Sequence, residues 1–291
     1  MRWAVTMCWC MAGAVPAWAQ TALPSGASLE ALLERMKVNM QANAVLAQQY
    51  TWDELWHNQN FDKSGKATVD ESANYENVFV EGLPYSRKVE ENGKPLTGKA
   101  AEEEEKRYDR AVEERKQMSL EEKRGFFHRN YHFSLPLCCL TTLFENRVTG
   151  EVTVNGRKAL VVESTPRADA TSATNAEKSV LGWKQTTWID EQDDVPVRLE
   201  AVALENVGHL LKGSTMRFDW ERLNPPADDK AGQAVWVEQD FLSHFQMKMM
   251  LMTFRGTTEE NYSDYRKFQV DVRLLEDSVS MLPGGQGAQH P

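Results

Sequence analysis

Every second residue of the stretch Val235–Arg255 falls on one face: Val235, Val237, Gln239, Phe241, Ser243, Phe245, Met247, Met249 and Leu251. The other face carries Glu238, Asp240, His244, Gln246 and Lys248. Strict alternation marks a strand with one buried side. The run is far longer than a usual strand of about five or six residues. Its apolar side ends in aromatics and methionines rather than a Val/Ile ladder, and methionine adapts to irregular space and to different partners. An ordinary core strand accounts for the alternation; a wide, adaptable binding surface accounts for the residue types. Leu242, Phe245, Met249 and Met252 also fit a helical stripe. That reading ranks second, because no cap precedes the run and β-formers open it.

The opening residues MRWAVTMCWCMAGAVPAWAQ place one Arg2 before an apolar core and close on Ala17-Trp18-Ala19. This predicts a secretory signal peptide over residues 1–19, too short to span a membrane, and hence a periplasmic protein. Its removal leaves 32 basic against 43 acidic side chains, a formal charge of −11. Bulk charge of that sign does not attract nucleic acid or anionic headgroups. No later apolar run approaches the roughly 20 residues of a membrane span. Only Cys138 and Cys139 remain, and adjacent cysteines bridge each other only with strain, so the fold is not stapled by disulfides. The pair sits in the apolar run SLPLCCLTTLF and reads as packed small hydrophobes.

Residues 20–277 read as one domain, with a disordered tail over 278–291. Ser28 can cap a helix whose stripe is Leu29, Leu32, Leu33, Met36 and Met40, running to about Ala47. Alternating segments follow, punctuated by Asp62-Lys63-Ser64-Gly65, Asn92-Gly93, Asn155-Gly156 and Glu191-Gln192-Asp193-Asp194. Asn-Gly pairs are strong hairpin signals, and the connections leave no room for parallel crossovers. A charged, helix-favouring insertion interrupts the strands at about 97–127, with a capping box at Ser119–Glu122. It reads as a solvated helical face or as a lid over one end of the sheet. The strand series closes on YRKFQVDVRLLE, for roughly ten antiparallel strands. Open sheets of that size tend to curl.

Catalytic constellations are sparse. His128 and His132 stand four apart, but the Glu of a zinc-protease helix and a third ligand are missing, so no metal is assigned. The chain has no nucleophile elbow, phosphate-cradling loop or dinucleotide fingerprint. The reading is therefore of a protein that is not an enzyme and needs no cofactor; an envelope enzyme with an unfamiliar site stands as the weaker alternative. Aromatics point elsewhere: Trp52, Trp56, Trp183, Trp188, Trp220 and Trp236 all fall on strand-like segments. Each either packs between helix and sheet or stands at a cavity rim.

The segments YTWDELW, VEGLPYSRKVEENGKPLT, VNGRKALVVESTP and GWKQTTWIDEQDDVPVRLEA, in this order, resemble the LolA/LolB-like, outer-membrane lipoprotein-sorting-type envelope proteins. The resemblance covers about Ser28 to Glu276. It implies an α+β fold: a strongly curved antiparallel sheet, a half-open barrel, with helices covering the concave face. It implies a periplasmic carrier that holds lipid or lipoprotein acyl chains in an apolar cavity, with an envelope protein as a further partner class and no nucleic acid. The expected cavity lining is Trp52, Trp188, Phe218, Phe241, Phe245, Met247, Met249 and Leu251. The expected lid or plug helix presents Leu29, Leu33, Met36 and Met40. Arg87 and Arg198 are the candidates, by strand position, for a carrier's lipoprotein-binding arginine. The long insertion departs from the compact carriers, so a sensor or protein-interaction domain with a self-filled core remains the alternative.

Overall fold

The structure, a computed structural model, describes residues 28–123, 126, 137, 139–172, 175–225, 232–249 and 252–267. Among these, eleven strands form one sheet: β1 (Tyr50–Phe61), β2 (Ala67–Val80), β3 (Leu83–Glu91), β4 (Lys94–Pro95), β5 (Phe144–Val154), β6 (Arg157–Pro166), β7 (Trp183–Asp190), β8 (Pro196–Ala203), β9 (Thr215–Leu223), β10 (Val235–Met249) and β11 (Met252–Lys267). Four helices accompany them: α1 (Leu29–Ala47), α2 (Gly98–Gln117), α3 (Leu140–Leu143) and α4 (Asn175–Leu181). The expected signal peptide, the tail, the histidine pair and Cys138 lie outside the described residues. Cys139 is partly buried against the core, with a backbone φ of 64°.

The sheet is antiparallel, curved and open, in the order β4-β3-β2-β1-β11-β10-β9-β8-β7-β6-β5. Every strand lies beside its sequence neighbours except β4 and β5. The first strand pairs with the last, and the passage from β4 to β5 leads from one sheet edge to the other. The insertion containing α2 therefore connects the two edges. The hairpins form where their turn residues allow: Asn92-Gly93 and Asn155-Gly156 both hold φ between 49° and 78°, the sign a two-residue hairpin loop needs. Asp62 closes the β1–β2 turn by accepting from the backbone N–H groups of Ser64 and Lys66 at 2.8 and 3.0 Å.

Residues opposite each other on paired strands share a face, as do residues two apart on one strand. The inner face, the one α1 covers, can thus be followed across the sheet through Val162, Thr187, Leu199, Phe218, Phe241, Glu260 and Trp56. Ser28 caps α1, accepting from the Ala31 N–H at 3.1 Å. Leu32, Leu33 and Met36 are 1–4% exposed and pack, with Met40, against Leu140, Leu143, Phe144, Leu160, Val162 and Leu199. Leu29 joins this cluster partly buried.

Two expectations are corrected. Val235–Arg255 is not one strand: it divides into β10, ending at Met249, and the start of β11 at Met252, and β11 is the last strand among the described residues; most of the expected closing strand lies outside them. Leu251 and the side chain of Met249 lie outside the described part. Nor does one parity run the length of β10. The register against β9 slips between Glu238 and Asp240, leaving Gln239 as an extra residue. A bulge of this kind shifts the alternation by one. The inner face therefore takes Trp236 and Glu238 before the bulge and Phe241, Ser243, Phe245 and Met247 after it. Val235 and Val237 belong to a second cluster with Tyr50, beside Leu46 and Ala47.

Around this bulge the sheet splits. Register pairing of β10 with β9 starts at Val235, but pairing with β11 starts only at Asp240. The Asn43 side chain of α1 fills the gap like a missing strand. It donates to the Trp236 carbonyl at 2.6 Å and accepts from the Trp236 N–H at 2.7 Å. Arg35 and Asn39 fasten the same helix to the β7–β8 turn through Asp194 and the Asp193 carbonyl, at 2.7 and 2.8 Å.

Candidate site on the inner face

The inner face has two unlike halves. Over β5–β8 it is sealed: Val162, Thr187, Ile189 and Leu199 are fully buried beneath α1 and α3. Over β1, β11 and the later part of β10, the inner side chains Trp56, Phe241, Phe245, Met247 and Tyr262 are only partly buried. On β11 the outer neighbours Glu259, Asn261 and Ser263 are exposed.

The expected cavity lining divides between the two faces. Phe218, Phe241, Phe245 and Met247 gather on the inner face of β9 and β10, with the Phe218 and Phe241 rings 4.8 Å apart. Trp52 lies on the same face of β1, stacked on Tyr265 at 6.1 Å and edge-on to Phe79. Phe245 stands opposite Gly256, where an added Cβ would come within 2.5 Å of its ring and 2.3 Å of the Gln59 carbonyl. Trp188 is placed differently. It stands opposite Arg198 and under its guanidinium, 5.8 Å from the ring centre, on the outer face. Ile189, not Trp188, points inward here, because alternation allows only one of two neighbours inside. The plug residues Leu33, Met36 and Met40 belong to the sealed half.

Both candidate arginines are also on the outer face and already partnered. Arg198 pairs with Asp219 at 2.5 Å and Arg87 with Glu105 of α2 at 2.6 Å. With Tyr85 bonded to Glu104 and flanked by Arg107 and Arg115, α2 lies against the outer side of β3. The helix α2 is thus an outer brace on β3, not a lid over the inner face.

Sequence reasoning missed the acidic residues of the open half. Glu54 (β1), Glu238 (β10) and Glu260 (β11) meet on the inner face around Tyr262, whose hydroxyl donates to Glu260. Asn77 donates to Glu54 at 2.9 Å. Burial, reinforced by Glu260 and Glu54, pushes the Glu238 carboxyl up to about 8. Burial also raises Glu54, with the neighbouring Glu260 adding to it. The Tyr262 hydroxyl is raised as well, by burial and then by Glu238 and Glu260. The only sequence signal was a Glu in line with Trp236, which the bulge disguised. No group of three or more His, Cys, Asp and Glu among the described residues is arranged to hold a metal ion.

No family model matches the chain, and no curated protein does. Several solved structures match over most of it. One is a putative outer membrane lipoprotein-sorting protein domain from Vibrio parahaemolyticus, 13% identical, covering 85% of this chain and 99% of that one with a TM-score of 0.33. Another is a LolA superfamily protein from Nitrosomonas europaea, 9% identical over 86% and 97% with a TM-score of 0.30. A third is the lipoprotein LppX of Mycobacterium tuberculosis, 10% identical over 84% and 100% with a TM-score of 0.29. Identities and TM-scores this low leave the functional reading to the chain's own geometry.

Proposed function

We propose that the protein is a non-enzymatic envelope binder of lipid or lipoprotein acyl chains, and that the open half of its inner face is where they sit. The observation that carries this reading is the grouping of Trp52, Phe218, Phe241, Phe245 and Met247, half-buried, on one continuous face. Large apolar side chains held short of full burial on a concave surface gain from covering by an apolar guest, at about 0.8 kcal/mol per buried CH₂. A soft Met and Phe lining tolerates chains of different length. The expected signal peptide places this binder in the periplasm.

Organic extraction of protein purified from an envelope fraction, followed by mass spectrometry, tests the reading. Co-purifying lipid, displaced by a fluorescent fatty acid and lost in Met247→Glu, is the expected result. Bare protein that takes up no probe would overturn it. A second reading has one observation in its favour: the fastening of α1 by Arg35, Asn39 and Asn43. On that reading the sealed half is a permanent core, and the protein is a sensor or interaction domain.

A further inference from the structure

We propose that the open half selects an amphiphile with a cationic, amine-type head group, received by Glu54, Glu238 and Glu260 between aromatic walls. This inference rests on the binding reading above and names the ligand class for the same surface.

Three carboxylates share one face of three adjacent strands. Several other carboxylates on this sheet have counter-cations: Asp190 has Arg157 at 2.6 Å, Asp219 has Arg198 at 2.5 Å, and Glu163 has Lys184 at 2.7 Å. Among the described residues no Lys, Arg or His makes an ion pair with Glu54, Glu238 or Glu260. Like charges packed together without a counter-charge are costly, and a cation entering among them removes that cost.

The surroundings suit such a cation. Glu260 stands directly between Trp56 on β1 and Phe241 on β10. Glu238 stands opposite Trp220 of β9. Aromatic faces flanking carboxylates are the arrangement that holds amines and quaternary ammonium groups, by cation–π attraction added to charge.

A second observation comes from two indoles on the same face. Trp220 is 3% exposed, yet its indole N–H has no hydrogen-bond acceptor. The indole N–H of Trp52, two residues from Glu54 on the same face, is likewise enclosed and unpaired. Buried donors are almost always satisfied, so each one left over calls for a missing acceptor. A head group that carries an oxygen beside its nitrogen, as amino alcohols and their esters do, supplies both groups: the nitrogen to the carboxylates, the oxygen to the indole donors.

The test compares three probes with one chain length, each below its micelle concentration: dodecyltrimethylammonium, dodecyl sulfate and dodecyl maltoside. Binding is read by quenching of tryptophan fluorescence in the full-length protein. The ammonium probe is expected to bind at least ten-fold more tightly than the other two. Glu238→Gln with Glu260→Gln is expected to remove that preference, and circular dichroism checks that the variant is folded. Equal affinity for all three probes, or a preference that survives in the folded double variant, would overturn the head-group inference and leave the acyl-binding reading standing. Failure of all three to bind would overturn both.

Discussion

The two halves of the inner face are built from similar residue types and end in different states. Over β5–β8 the side chains interlock with α1 and α3, and the largest of them are fully buried. Over β1, β10 and β11 the aromatics remain partly accessible and surround carboxylates without counter-cations. One curved sheet thus carries a finished core and an unfinished one. The lesson is that hydrophobicity alone does not tell a core from a binding surface. What tells them apart here is the state of the carboxylates: Asp190 on β7 has Arg157, whereas Glu54, Glu238 and Glu260 make no ion pair among the described residues.

Substitutions on matched positions should break this contrast if it is wrong. The largest effect belongs to the sealed half. Met36→Ala should cost roughly 2–5 kcal/mol in chemical denaturation, as truncation of a fully buried methionine does. Phe241→Ala should cost far less stability yet abolish uptake of a fluorescent fatty acid; an equally large loss of stability at both positions would show that the halves do not differ. Next comes the seam between them. Asn43→Ala leaves the Trp236 N–H and carbonyl without their partner, at about 1–3 kcal/mol for each group. Hydrogen exchange at Trp236 should rise in that variant, and unchanged protection would sink the false-strand role of Asn43.

A smaller effect follows from Glu238. Its carboxyl, beside Glu54, Glu260 and Tyr262, titrates higher in the folded protein than the ordinary 4.5 of the unfolded chain. The folded state therefore holds its proton more tightly, so this group disfavours folding progressively as pH rises from about 4.5 to about 8 and adds no further cost above that. Glu238→Gln should flatten that fall and stabilise the protein at pH 8 by on the order of 2 kcal/mol. Thermal melts from pH 5 to 9 in both forms read it directly. The smallest effect lies outside: Arg87→Ala removes an exposed pair with Glu105 and should cost at most about 1 kcal/mol, with lipid uptake unchanged. Loss of uptake there would move the site to the outer face.

Much of the architecture was legible in local chemistry. Ser28 with its apolar stripe, the Asn-Gly turns, the Ser119–Glu122 box and the alternating strands each act over a few residues, and each forms as expected. Non-local features were not legible. Pairing of β1 with β11 joins residues about two hundred positions apart and leaves no periodic trace. The Gln239 bulge changes which side of β10 faces inward, and a pattern count cannot see an extra residue. It hid Glu238, assigned to the outside by parity, at the centre of the acidic group. Trp188 shows the converse error: a tryptophan on a strand of the right kind, placed on the outer face because Ile189 takes the inner position.

The pairing of first strand with last has a consequence for how the protein is made. While the ribosome is still adding residues, β2 can close against β1 within a few tens of residues, but the other edge of β1 has no partner until β11 emerges. For most of synthesis that edge is a row of free amides and carbonyls, a template for any passing strand. Export unfolded and refolding after the whole chain has crossed would spare β1 that wait. Joining β11 to α1 and opening the chain between β4 and β5 would turn the sheet into an uninterrupted meander in which every strand meets its neighbour as soon as it is made, and such a permutant should fold faster than the natural order.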